Sequence, residues 1–136
     1  MFTHIQPFLP TIDFKISKQF YLDLGFEIVY EDEQLSLFKK DQISFFIQHA
    51  YVKDWAENLM IQAYYSSIDV LYEQVESLKT HYPMIKIKHP FQAPYGYTFH
   101  LLDPAGVLWH FTDPNKKWAH VHHGLILFLS LIFIRA

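Results

Sequence analysis

The chain has 136 residues, of which 51% are hydrophobic and 18% aromatic, so it can bury the core of a single domain and is too apolar for a disordered segment. Its formal charge is −3, from 14 acidic and 11 basic residues. No basic stripe is available to displace counterions from phosphates, which excludes nucleic acid as an expected partner. The lack of cysteine excludes disulfides, thiolate metal sites and cysteine nucleophiles.

In chain order, "MFTHIQPFLP" shows no basic start followed by a long apolar stretch, so no export signal is visible and a cytoplasmic location is expected. A strand is predicted from about Thr3 to Leu9. Asp13 then opens a helix that runs to about Leu24 and stops at Gly25. Ile16, Phe20 and Leu24 recur every four residues and predict its buried stripe. The strand-like runs "FEIVYE", "LSLFKK" and "ISFFIQHA" follow, joined by "DEQ" and "KDQ", which are short enough for hairpins. "YVKDWAEN" reads as a polar-aromatic connection.

The pattern then restarts. "LMIQAYY" reads as a strand, "SIDVLYEQVESLKTHY" as a helix opened by Asp69, and "MIKIK", "YTFHLL" and "VLWHFT" as three further strands. "TID" at Thr11–Asp13 and "SID" at Ser67–Asp69 each stand between a strand and a helix. One strand, one helix and three strands, repeated, describe a βαβββ duplication. The expected fold class is therefore α+β. The domain is expected to span 1–118, with modules at about 1–50 and 58–113. Residues 119–136 form an extension whose run "GLILFLSLIFI" is uncharged and apolar but shorter than the roughly 20 residues a spanning helix needs. A packed element, a dimer contact or a segment foreign to the domain all remain open for it, and no membrane partner is expected.

"LPTIDFKISKQFYLDLGFEIVYEDEQLSLFKKDQISFFI", with its "FYLDLGF" helix end, and the "DPAG" turn before the last strand resemble the vicinal oxygen chelate (glyoxalase-like) superfamily, and within it bleomycin-resistance proteins. The resemblance covers about Ile5 to Asp113. It implies a cupped mixed sheet built from two βαβββ modules with helices on the convex side, often completed in a homodimer. Members bind a divalent metal in the cup and catalyse isomerisation, dioxygenation or epoxide opening, or bind drugs without metal.

Metal-dependent relatives place their ligands on the first and last strands of each module. The matching positions here are Gln6, approximately Phe46, Gln62 or Ala63, and His110. A phenyl ring cannot donate to a cation, and neutral amides with one imidazole offset little of an ion's desolvation. The expectation is therefore no cofactor. The alternative is a glyoxalase-like lyase or dioxygenase holding nickel, zinc, manganese or iron on Gln6, Gln62 and His110.

His110 reads either as a core histidine or as a polar contact for a ligand. The second reading makes the cup a small-molecule site lined by Gln6, Phe38, Phe46, Gln48, Gln62, Tyr64, His100 and His110, mostly apolar with a few placed polar groups. Trp55 in the connection either stacks on a flat ligand or buttresses the module joint. Tyr95 and Tyr97 either line the pocket mouth or pack on a loop. The acidic run "YEDEQ" reads as a solvated hairpin tip. "HVHH" at His120–His123 lies past the expected domain end and is a tract that can hold transition metals adventitiously. Four scattered glycines cannot form a phosphate-cradling loop or a dinucleotide fingerprint. A duplicated module serving only as a dimeric interaction domain is the third reading.

Overall fold

The computed structural model describes residues 1–116; the His120–His123 tract, the apolar run and the expected domain end at Trp118 lie outside them. The first module is β1 (Phe8–Pro10), α1 (Phe14–Asp23), β2 (Glu27–Glu31), β3 (Leu35–Lys40) and β4 (Ile43–Gln48). A short helix α2 (Lys53–Asn58) leads to the second: β5 (Met60–Tyr64), α3 (Ile68–Leu78), β6 (Lys86–Ala93), β7 (Gly96–Leu102) and β8 (Leu108–Asp113). Each module has its own four-stranded mixed sheet, ordered β1-β4-β3-β2 and β5-β8-β7-β6. The first and last strands of each module pair parallel, which the helical crossover permits, and the remaining pairs are antiparallel. The duplicated α+β fold read from the sequence is the observed one.

Local chemistry explains most boundaries. Asp13 caps α1 by accepting the Ile16 N–H at 3.1 Å, and Gly25 ends the helix turn at φ +103°. Asp32 closes the β2–β3 hairpin by accepting the N–H groups of Gln34 and Leu35. Two of the four edge strands, β2 and β6, shift register at a bulge, between Ile28 and Tyr30 and between Lys88 and Phe91.

Several boundaries depart from the sequence reading. The first strand is only Phe8–Pro10, because Thr3 to Gln6 precede the stretch that pairs with β4. Phe20 and Leu24 are buried as expected, but Ile16 is exposed, and Ser17 and Tyr21 widen the core-facing stripe instead. The connection "YVKDWAEN" contains α2. Ser67 holds the cap position of α3, in keeping with its place before the helix, and Asp69 in the first turn accepts the Tyr97 hydroxyl at 2.8 Å. β6 starts at Lys86 and continues through "PFQA", because pairing with β7 resumes after the bulge.

One hydrophobic core serves both modules and includes Phe20, Tyr21, Phe45, Phe99, Trp109 and Phe111. Its polar seam is buried. The Tyr21 hydroxyl donates to Asp103 Oδ2 at 2.5 Å, and Trp109 Nε1 donates to the Tyr21 oxygen at 3.0 Å. Asp103 Oδ1 accepts the N–H groups of Ala105 and Val107, which shapes the "DPAG" turn. Burial pushes the Asp103 carboxyl up to about 6 against those hydrogen bonds, which favour the ionised form. Burial, with the neighbouring Asp103 charge, also raises the Tyr21 phenol well above its ordinary value. A second tie crosses from α3 to the end of α1, where Gln74 donates to the Leu24 carbonyl.

Candidate functional site

Because strand side chains alternate, a sheet with one face in this core presents the other away from it. On the first sheet, Leu9, Phe38, Phe45 and Ile47 face the core and are buried. The outer face carries the row Phe8, Phe46, Leu37 and Tyr30, set by the strand register. Phe8 and Phe46 stack with ring centroids 4.4 Å apart and planes 9° from parallel, and Phe8 remains 49% exposed. Gln6 lies just before β1 and donates its amide to Ser44 Oγ at 2.9 Å, so Ser44 rather than Phe46 stands beside it. Gln48 shares the Phe46 face two residues on and is half-buried.

The second sheet puts Leu101, Trp109 and Phe111 into the core. Its outer face carries three rows: Met60, Leu108, Leu102 and Lys86; Gln62, His110, His100 and Lys88; and Tyr64, Thr112, Thr98 and Phe91. Register decides between Gln62 and Ala63, since Gln62 pairs with His110 while Ala63 pairs with Phe111 on the core side. The His100 and His110 rings stack with centroids 3.9 Å apart and planes 9° from parallel. Phe91 meets His100 edge-on at 5.2 Å. Below the pair runs a hydrogen-bonded chain in which Gln62 donates to Thr112 Oγ1, Thr112 to Thr98 Oγ1, and Thr98 to the Phe111 carbonyl.

Desolvation lowers the His100 imidazole to about 3, with the neighbouring His110 and the Lys88 ammonium acting in the same direction. The ring is therefore neutral near pH 7, with one N–H and one lone pair. It is fully buried, and neither ring nitrogen has a hydrogen-bond partner among the described residues.

The predicted lining set thus divides. Gln6, Phe46 and Gln48 lie with the first sheet's outer face; Gln62, Tyr64, His100 and His110 lie on the second's. Phe38 leaves the set, because it is fully buried on the core side against Phe45 and Tyr21. Trp55 sits on α2 and is 75% exposed. Tyr97 is held by Asp69 at the start of α3, whereas the buried Tyr95 hydroxyl lies near Thr98 and Tyr64. Phe8, Ser44, Lys88, Thr98 and Thr112 were not singled out from sequence. Period-two steps from Gln6, Phe46, His100 and His110 reach all of them except Lys88, which only the cross-strand register places.

The positions where metal-dependent relatives carry ligands do not converge within one chain. Gln6 belongs to one sheet, and Gln62 and His110 to the other. The flat His100–His110 stack also sets the in-plane lone pairs side by side rather than toward a common point. Among the described residues, no group of three or more His, Cys, Asp or Glu side chains could hold a metal ion. Among the described residues of one chain, Gln6 stands on a different sheet from Gln62 and His110, so these three do not form a single chelating set.

No family model and no curated protein matches this chain. Solved structures do. The bleomycin-binding protein of Streptomyces verticillus, complexed with copper(II)-bleomycin, superposes with a TM-score of 0.72 at 24% identity, over 83% of this chain and 97% of that one. The bleomycin resistance determinant encoded on transposon Tn5 gives 0.70 at 24% identity, over 82% and 98%. Lactoylglutathione lyase from Agrobacterium tumefaciens gives 0.65 at 20% identity, over 87% and 98%.

The chain has the glyoxalase/bleomycin-resistance fold. In this chain the fold offers two outer sheet faces of different chemistry: an aromatic and amide face on the first module, and an imidazole and hydroxyl face on the second. Among the described residues, no helix is long and apolar enough to cross a membrane.

Proposed function

We propose that this protein binds a flat, aromatic small molecule without metal, in clefts that form when two copies pair. The observation that carries the reading is the division of the lining residues. The Phe8–Phe46 stack and the His100–His110 row lie on the outer faces of different sheets, so they would line one cleft together if the first-sheet face of one copy stood opposite the second-sheet face of another. Two such clefts per homodimer follow from two-fold symmetry. Each would set stackable rings against a few hydrogen-bonding groups, the usual make-up of a small-molecule site. Capture of the ligand, rather than its conversion, is the activity that this chemistry supports, and a cytoplasmic antibiotic-sequestering protein would work in this way.

Bleomycin is the first ligand to try, because two of the structurally similar proteins are described as binding it or as a resistance determinant against it. Titration calorimetry with bleomycin, combined with sedimentation analysis of the full chain, tests the reading. Saturable heat at one ligand per subunit and a dimer are expected. No heat at micromolar protein removes the antibiotic, and a monomer that binds nothing removes the cleft.

The competing reading is a metal-dependent lyase or dioxygenase, favoured by His110 standing opposite Gln62 on the last and first strands of its module. Near-stoichiometric zinc, nickel, manganese or iron that survives replacement of His120, His122 and His123 but disappears in His110→Ala would establish that reading instead.

A further inference from the structure

We propose that the apolar segment 125–134 of this chain folds back over the outer face of the second sheet and serves as its lid. The inference goes beyond the ligand-binding reading, because it assigns an occupant to one wall of that cleft, and its test needs no ligand.

The duplication supplies the comparison. The central strands of the two sheets, β4 with β3 and β8 with β7, hold matching places in the strand order. On the first sheet their outward residues are Ser44, Phe46, Gln48, Leu35, Leu37 and Lys39, and none of them is buried. On the second they are Leu108, His110, Thr112, Thr98, His100 and Leu102, and all but Leu102 are buried. The same scaffold leaves one outer face open and closes the other within a single chain.

The described residues supply little of that cover. Among them, helix packing on β6, β7 and β8 comes from α3 on the core side, where Tyr72 meets Phe99 edge-on. His100 is shielded in part by its stack with His110 and by the edge of Phe91. Leu108 is fully buried, although Met60 beside it in its row is 50% exposed. Thr112 is fully buried as well, although its row neighbour Tyr64 is 63% exposed. A cover laid across the middle of the sheet closes the centre and leaves such rim side chains open.

The chain itself carries a suitable cover. Asp113 accepts the Asn115 N–H, the Lys116 carbonyl accepts the Gln92 amide, and the Lys116 ammonium meets Asp69. Residue 116 is thereby fixed at the end of this sheet. Eight residues lead from Lys116 to Gly124, a reach of up to about 27 Å, whereas four strands lie only about 15 Å across. Residues 125–134 are apolar apart from Ser130, and apolar surface left in water is unfavourable in proportion to its area. Tethering at the rim of the face gives this segment a high effective concentration there, ahead of the same segment from a second copy. A ligand entering the cleft proposed above has to displace the segment, which makes it an autoinhibitory contact.

The chain has no cysteine, so introduced thiols report without background. In the full chain, Thr112→Cys on the closed face and Gln48→Cys on the open face are alkylated with iodoacetamide under native conditions. Thr112→Cys is expected to react about tenfold or more slower than Gln48→Cys. It should accelerate by about tenfold when Leu127→Asp and Leu131→Asp place charges in the segment, with Gln48→Cys unchanged. Separately, Met60→Cys is combined with Leu129→Cys in the otherwise unaltered full chain and oxidised at low protein concentration. A disulfide within one chain is expected.

Thr112→Cys that reacts as fast as Gln48→Cys overturns the inference, since the face is then open. Slow reaction that persists in the charged variant also overturns it, because the face is then closed by its own side chains. Disulfides that form only between chains overturn it in favour of a second copy as the cover. Should the charged variant fail to fold, the disulfide test decides alone, and no bond within the chain refutes the lid. No outcome involves a ligand, so the ligand-binding reading stands or falls separately.

Discussion

The two outer faces come from the same duplicated module, yet they are built for different work. On the first sheet the outer row is Phe8, Phe46, Leu37 and Tyr30, aromatic and partly exposed. On the second, the corresponding surface is His110 and His100 flanked by Gln62 and Lys88, and the imidazoles are buried. The core sides show no such divergence, being aromatic and close-packed in both. A scaffold can therefore hold its inner face fixed, where a change of one methylene is felt, and vary the outer face with little effect on the fold.

The largest expected effect breaks the comparison within a single strand. Trp109 and His110 are neighbours on opposite faces of β8. Trp109→Ala should cost about 3–5 kcal/mol, because it removes the ring that packs on Tyr21 and Phe45 together with the bond to the Tyr21 oxygen. His110→Ala should cost clearly less. Urea unfolding of both variants decides, and equal losses would mean that the outer face is as structural as the inner one.

Next come two pH dependences of opposite sign. Asp103 is raised to about 6 in the folded chain from an ordinary value of 3.8. Its contribution is fully present below pH 3.8 and is lost as pH rises through 6, about 3 kcal/mol in all. Asp103→Asn should abolish that slope. His100 is lowered to about 3 from 6.5 by burial and by the facing His110 on β8 and Lys88 on β6, with uncharged Phe91 at its edge. It therefore contributes stability above pH 6.5 that is lost as pH falls toward 3, and His100→Phe should remove this loss. Denaturation midpoints of wild type and both variants between pH 4 and pH 7.5 check the signs, and parallel curves for all three would refute both.

Smaller effects sharpen the contrast. Phe46→Ala removes one half of the stacked pair and should lower stability by about 1 kcal/mol, while weakening an aromatic ligand by more than that in titration. Trp55→Ala, at an exposed site, should change stability by no more than about 0.5 kcal/mol. An affinity loss in that variant would make Trp55 a ligand contact, and unchanged affinity would leave it outside the cleft.

Much of this arrangement is legible in the sequence. "TID" and "SID" mark the repeat, Asp13 and Gly25 bound α1, and the alternation in "VLWHF" separates Trp109 from His110. These are local signals, set by capping, turn chemistry and period-two side-chain direction. Phe38 shows where they stop. "LSLFKK" alternates without revealing which of its faces is inner, and the pairing of Phe38 with Phe45 is what sends it to the core. Gln6 and Phe46 show the same limit, because their alignment to one site depended on a register that put Ser44 beside Gln6 instead.

By itself the sequence determined a duplicated α+β domain and the residue types available for a site, because hydrophobic period and turn residues act over a few positions. Only the tertiary structure decided that the lining residues fall on two separate faces, that His100 and His110 stack, and that Lys88 joins them. Those facts depend on strand register and on which faces the shared core consumes, and both are settled by contacts between residues far apart in the chain.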